Sequence, residues 1–149
     1  YQRSNVGRFV EARRTLEELV QFCKQTERGG VPLYRDPLVR HRLAELLIET
    51  EAGRAFAYRI AWKQGKGETA FHEASMSKLF ASELIQRVTY FGSQLMGLYG
   101  QVKAGSKWAP LHGRYEYLYK FCTVRTLAAG TSEIQRNLIA WAGLGLPRM

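Results

Sequence analysis

Residues 71–98 read FHEASMSKLFASELIQRVTYFGSQLMGL, and the fold turns on them. Phe71, Ala74, Leu79, Phe80, Leu84, Val88, Phe91, Leu95 and Met96 return mostly at three- and four-residue steps, which puts them on one face of a helix. The spacing predicts a long amphipathic helix with that face buried. Gly97 and Gly100 end it, because glycine disfavours continued helix.

The same reading extends upstream. Val6, Phe9, Val10, Leu16, Leu19, Val20 and Cys23 share a helical stripe, which predicts a first long helix stopping near Gly29-Gly30, with Pro32 beyond. Asp36-Pro37 has the chemistry of a helix start: a carboxylate that accepts from free amides, then a proline whose missing donor would have had no helical partner. A second helix is expected from there to about Gln64, with Leu43, Leu46, Leu47, Thr50, Ala57, Ile60 and Ala61 as its stripe and the Gly65-Lys66-Gly67 break after it. Gly53, inside that helix, costs about 1 kcal/mol against alanine, so a close helix crossing is expected there.

Downstream, Gln101 to Gly113 carries Gly105, Pro110 and Gly113 and reads as a loop, and Tyr115 to Val124 as a short helix. A last helix starts at Thr131 or Ser132, where Ser132 and Gln135 have the S-x-x-Q spacing of a capping box, and ends before Gly143 to Pro147. No strand-like alternation and no repeat competes with these helices. The expected fold is all-α, an antiparallel four-helix bundle.

Composition bounds the function. A chain of 149 residues suits one domain, which at this size hides roughly 68–70% of its unfolded surface. It holds no run of about 18 apolar residues to span a membrane, and Tyr1-Gln2-Arg3 is not followed by the apolar stretch of a secretory signal. These features point to a soluble, cytoplasmic protein with no membrane partner. Cys23 and Cys122 lack CxxC spacing and histidine neighbours, so no metal site and no disulfide framework is expected. The net charge of +9 is spread from Arg3 to Arg148 without a nucleic-acid motif, which argues against nucleic acid. His41, His72 and His112 stand far apart in polar surroundings. Trp62, Trp108 and Trp141, with Tyr115, Tyr117 and Tyr119, are expected to pack helices against the rest of a longer protein rather than stack on a ligand. Tyr1 opens inside a helical pattern with no initiator methionine, so the chain is expected to be part of something longer.

Chemistry concentrates at Gly130-Thr131-Ser132. A glycine and two hydroxyl residues at a helix start leave backbone N–H groups facing outward with the positive end of the helix dipole behind them, which favours anions or cofactor oxygens. Alone, most such helix starts only cap their own helix.

Its surroundings give it weight. The stretch from Thr126 to Ala140 (TLAAGTSEIQRNLIA) and the tail Leu144-Gly145-Leu146-Pro147-Arg148 resemble the last helix of bacterial acyl-CoA dehydrogenases. Gln94-Leu95-Met96-Gly97-Leu98-Tyr99-Gly100 resembles that family's Gln-x-x-Gly-Gly-x-Gly turn, with Leu98 in place of the second glycine. The resemblance covers essentially the whole chain as the family's C-terminal helical domain, residues 1–149 of a longer flavoenzyme whose N-terminal helical and middle β-domains are not in this sequence.

The resemblance implies FAD-dependent α,β-dehydrogenation of an acyl-CoA thioester, in which a glutamate takes the α-proton while the β-hydrogen leaves as hydride to flavin N5. It implies flavin contacts at Gln94, Gly97 and Gly100 and at Thr131 and Glu133, commonly made across a subunit interface, in a homo-oligomer (dimer or tetramer) or a mixed assembly. Arg3, Ala129 and Gly130 correspond to the vicinity of the substrate.

Several positions depart from the family. Arg28-Gly29-Gly30-Val31-Pro32-Leu33 lacks the phenylalanine of its Arg-x-x-Phe-Gly, Pro37 takes the place of a glutamine, and Lys120 replaces the arginine of an Arg-Asp pair. The two positions at which family members carry the catalytic glutamate are Ala129 and Gln2, and neither is a base. Three explanations stay open: a carboxylate from the missing domains, Glu133 acting as the base, or a non-catalytic partner subunit.

Overall fold

The computed structural model describes residues 5–148. Its long elements are α1 (Val6–Gln25), α2 (Pro37–Gly65), α3 (Phe71–Met96), α4 (Arg114–Leu127) and α5 (Ser132–Leu144). A two-residue pair of strands, β1 (Glu27–Arg28) and β2 (Val31–Pro32), lies between α1 and α2. The all-α expectation holds.

Cross-helix pairs fix the directions. Phe9 and Arg13 of α1 meet Gly53 and Glu51 of α2, so these helices run antiparallel. Lys63 and Glu49 of α2 meet Glu73 and Arg87 of α3, and Gly92 and Gln86 of α3 meet Tyr115 and Cys122 of α4, each pairing again antiparallel. Arg114 and Arg125 of α4 close the bundle on Glu18 and Glu11 of α1. α5 lies along α3, with Arg136 on Glu83 and Trp141 edge-on to Phe71.

The cap at Asp36 forms as the sequence implies, its Oδ1 accepting from the Leu38 amide at 2.8 Å. The inner face of α2 is Val39, Leu46, Thr50, Gly53, Ala57 and Ile60, whose alternating four- and three-residue steps are those of a helix-bundle seam. Leu47 and Ala61 fall outside that seam and are exposed. Gly53 is the expected crossing: a Cβ there would lie 2.1 Å from the Phe9 ring, so the bare backbone is what lets α1 approach. Val10 of α1 also turns outward.

α3 is the central strut, packed on α1, α2, α4 and α5. Its surroundings on nearly every side explain why Ser75, Ser77, Lys78, Ser82 and Thr89 are buried along with Leu84, Ile85 and Val88. The expected single stripe is therefore wrong in detail; Phe71, at its edge, is 43% exposed.

Two local readings are corrected. α1 ends at Gln25, before Gly29-Gly30, and those glycines instead form the two-residue turn of the β1–β2 hairpin, with φ of +60° and +77° as a type I′ turn requires. At the head of α5, Thr131 and not Ser132 is the capping residue: its hydroxyl accepts from the Ile134 amide at 3.4 Å, while Gln135 donates to the Ala129 carbonyl at 3.1 Å.

Candidate functional site

The first group of candidate residues gathers where α3 ends. Gly97 stops the helix with φ +58° and ψ −135°, a conformation natural to glycine, and a short 3-10 turn follows over Gly97–Gln101. Gly100 is buried in that turn, where a Cβ would stand 2.9 Å from the Ser93 carbonyl oxygen. Gln94, Gly97 and Gly100 all line an open groove of about 640 Å³ whose other wall is Glu116, Tyr119 and Lys120 of α4. Lys120 reaches Glu116 at 2.5 Å. Gly97 has free space where a side chain would start, so its backbone is open to the groove. Arg28 of the hairpin donates to the Leu95 carbonyl at 3.0 Å and so ties β1 to this end of α3. Leu98, at the position of the family's second glycine, is 83% exposed.

The second group is the turn between α4 and α5. Ala129 has φ +60° and Gly130 φ +92°. Left-handed backbone costs a residue with a Cβ about 1–2 kcal/mol, so something must hold Ala129 there. Two buried side chains do so. Lys78 of α3 donates to the Gly130 carbonyl at 2.5 Å and to the Thr126 carbonyl at 3.2 Å, and Gln135 of α5 donates to the Ala129 carbonyl. The φ of Gly130 suits glycine, and a Cβ placed there would also lie 2.5 Å from the Gln135 amide nitrogen.

The electrostatics follow from this packing. Burial holds the Lys78 ammonium below its ordinary pKa, with the charge of Arg8 adding to the effect and Glu83 and Glu133 opposing it. Glu133, exposed in the first turn of α5, is held below the ordinary glutamate value by its own backbone amide and then by the Thr131 hydroxyl. It is thus a weaker base than a free glutamate.

Within each group the structure brings the expected residues together, but it does not bring the groups to each other. Lys78, beneath the second, and Gln94, in the first, sit sixteen residues apart on α3, roughly 24 Å at about 1.5 Å per residue. Gln2 and Arg3 lie outside the described residues.

Lys78 and Gln135 are the functional candidates that sequence reasoning missed. Lys78 belongs to no motif, and its only signal is a cation among small residues, Ser75, Ser77, Ala81 and Ser82, in a helix hydrophobic on most sides. His41 and His112 are exposed and His72 stands 3.5 Å from Glu73. Cys23 and Cys122 are buried free thiols. Among the described residues, no three His, Cys, Asp or Glu side chains cluster as metal ligands, and no helix is long and apolar enough to cross a membrane.

Solved structures share this architecture. One subunit of the ChsE4-ChsE5 complex from Mycobacterium tuberculosis superposes with a TM-score of 0.84 at 28% identity, covering 93% of this chain and 35% of that one. Among curated proteins, the 3-(aryl)acrylate reductase of Clostridium sporogenes is 30% identical over 87% of this chain and 32% of its own length. An acyl-CoA dehydrogenase of Bacillus subtilis is 31% identical over 90% of this chain and 33% of its own length. These matches define the class as an all-α domain making up about a third of larger proteins. Residues 2–144 match the family model described as acyl-CoA dehydrogenase, C-terminal domain, and the chain belongs to that family.

Proposed function

We propose that residues 1–149 are the C-terminal helical domain of a longer FAD-dependent acyl-CoA dehydrogenase, forming one wall of the flavin and acyl site and part of an oligomer interface. The reaction is oxidation of the α,β carbon–carbon bond of an acyl-CoA thioester. When bound, FAD supplies the hydride acceptor for the β-hydrogen.

The residues fit that cofactor. Gln94 offers an amide and Gly97 open backbone, with Gly100 packed beneath, along a groove of about 640 Å³, inside the range of about 300–1,000 Å³ usual for ligand sites. Thr131 and Glu133 offer a hydroxyl and an ionised carboxylate at a helix start, where cofactor hydroxyls find both acceptor and donor. Ala129, Gly130 and Arg3 border the acyl group in this reading.

The observation that carries the proposal is the placing of these two groups at opposite ends of α3. Such a layout suits a cofactor shared between neighbouring protomers, each giving one end of the domain. Exposed apolar side chains on α2 (Leu38, Ile48, Trp62) and α4 (Phe121, Val124, Leu127) suit burial in a dimer or tetramer.

Removal of the α-proton needs a base, and Ala129 supplies none. Glu133 is assigned in this reading to the cofactor, as the family resemblance implies. The carboxylate then comes from outside these 149 residues, or the chain is the non-catalytic partner in a mixed assembly. Ala129 is compatible with both readings, and a relative solved as a two-component complex keeps the second in view.

The test uses the intact protein. Purified protein should show flavin absorbance and reduce an electron-accepting dye with acyl-CoA, whereas the 149 residues alone should not turn over. Absence of flavin binding by the intact assembly overturns the proposal. Ala129→Glu should raise oxidation about 100-fold or more if the subunit has lost its base, and leave the rate unchanged if the base lies elsewhere.

A further inference from the structure

We infer that Lys78 is a positioning residue for the α4–α5 turn: its buried ammonium, anchored on the Thr126 and Gly130 carbonyls, sets which way the amides ahead of α5 face.

An ammonium has three donors and no acceptor, and a buried one persists only where those donors are met. Lys78 is 5% exposed and forms no ion pair with a carboxylate among the described residues. It meets main-chain carbonyls instead, 48 and 52 positions along the chain. Such a lysine joins α3 to the turn through main-chain acceptors rather than through an ion pair.

The consequence for the amides follows from peptide geometry. All described peptide bonds are trans, so each N–H points opposite to the carbonyl of its own peptide group. Lys78 draws the Gly130 carbonyl inward and thereby turns the Thr131 N–H outward. Gln135 does the same to the Ala129 carbonyl and the Gly130 N–H. The two outward amides precede the capped start of α5, where the helix dipole favours an oxygen ligand. Lys78 thus acts on the ligand through the backbone and does not touch it. This use of the amides rests on the functional reading above; the anchoring itself does not.

The experiment has two arms, both on the intact protein. Without ligand, hydrogen exchange is followed at Ile134 and Gln135, whose amides are bonded to the Thr131 hydroxyl and carbonyl. In Lys78→Met these should exchange about tenfold faster or more, with α1 and α2 unchanged, and Lys78→Arg should restore most of the protection. With ligand, the affinity for FAD or acyl-CoA should fall about tenfold in Lys78→Met and recover in Lys78→Arg. Wild-type exchange at Ile134 and Gln135 in Lys78→Met overturns the inference. Wild-type protein that binds neither ligand overturns the functional reading alone, because the exchange arm still decides Lys78. Should Lys78→Met not fold, the wild-type ¹⁵Nζ resonance decides: a slowly exchanging ammonium supports the anchor, and one exchanging like surface lysines overturns it.

Discussion

The ring of Tyr115 lies directly on Gly92, so closely that a Cβ at residue 92 would stand 2.0 Å from Cε1 of the ring. The same tyrosine donates from its hydroxyl to the Thr15 carbonyl at 2.8 Å, which lets one side chain join α4 to both α3 and α1. Burial pushes its phenol far above the ordinary tyrosine value, so it stays a neutral donor. Gly92→Ala should therefore destabilise the domain by about 1–3 kcal/mol through overpacking, and Tyr115→Phe by about 0.5–1.5 kcal/mol through the lost hydrogen bond. Urea unfolding followed by circular dichroism reads both; an unchanged midpoint in Gly92→Ala would show that the helices can part freely.

Glycines in the first two helices should respond in opposite directions. Gly53→Ala puts a methyl into the Phe9 ring and should cost about 1–3 kcal/mol. Gly7, exposed in α1 with nothing within 4 Å of a new Cβ, should gain about 0.5–1 kcal/mol on the same substitution. Thermal midpoints of the two variants, compared with wild type, give the signs.

Acid should weaken the domain partly through Glu73. Burial favours its neutral form, but the Lys63 ammonium, its own backbone amide and nearby His72 outweigh that and hold the folded pKa below 4.5. Stability from this group is then fully present above 4.5, the value for an unperturbed glutamate, and is lost as pH falls through the lower folded value. Glu73→Gln should flatten the dependence of unfolding free energy on pH below about 4.5. Lys63→Met, which leaves a buried carboxylate without its cation, should cost about 1–3 kcal/mol near neutral pH.

Neither cysteine should react in the native state. Burial raises the Cys23 thiol to about 11 and lifts Cys122 as well, so little thiolate forms at mildly alkaline pH, and both side chains are enclosed. Iodoacetamide labelling read by mass spectrometry should appear only with unfolding. Rapid native labelling of Cys23 would show that the part of the core where it packs with Leu19 and Tyr115 opens readily.

Much of the fold is legible because local chemistry decides it. Asp36-Pro37 starts α2 wherever α2 packs, and Gly53 marks a crossing because glycine in a helix needs a reason. The hairpin at Gly29-Gly30 is hidden because two-residue strands have no room for alternation. The buried polar face of α3 is hidden too, since Ser77, Lys78 and Ser82 are buried only by four neighbouring helices that a local window does not contain. The site divides in the same way. Gly97, Gly100 and Gly130 can be read from their motifs, whereas Lys78 and Gln135 act on carbonyls, which leave no trace in residue type. Arg28 likewise shows its partner, the Leu95 carbonyl, only in three dimensions.

The way α5 is attached sets how the domain comes apart. It leans chiefly on α3, while α1, α2 and α3 pack in turn and α4 reaches back to α1 through Arg114, Tyr115 and Arg125. The segment bearing Thr131 and Glu133 is therefore an outrigger: it is the element whose loss disturbs the fewest other helices, so partial melting that starts there would strip away the amide pair first.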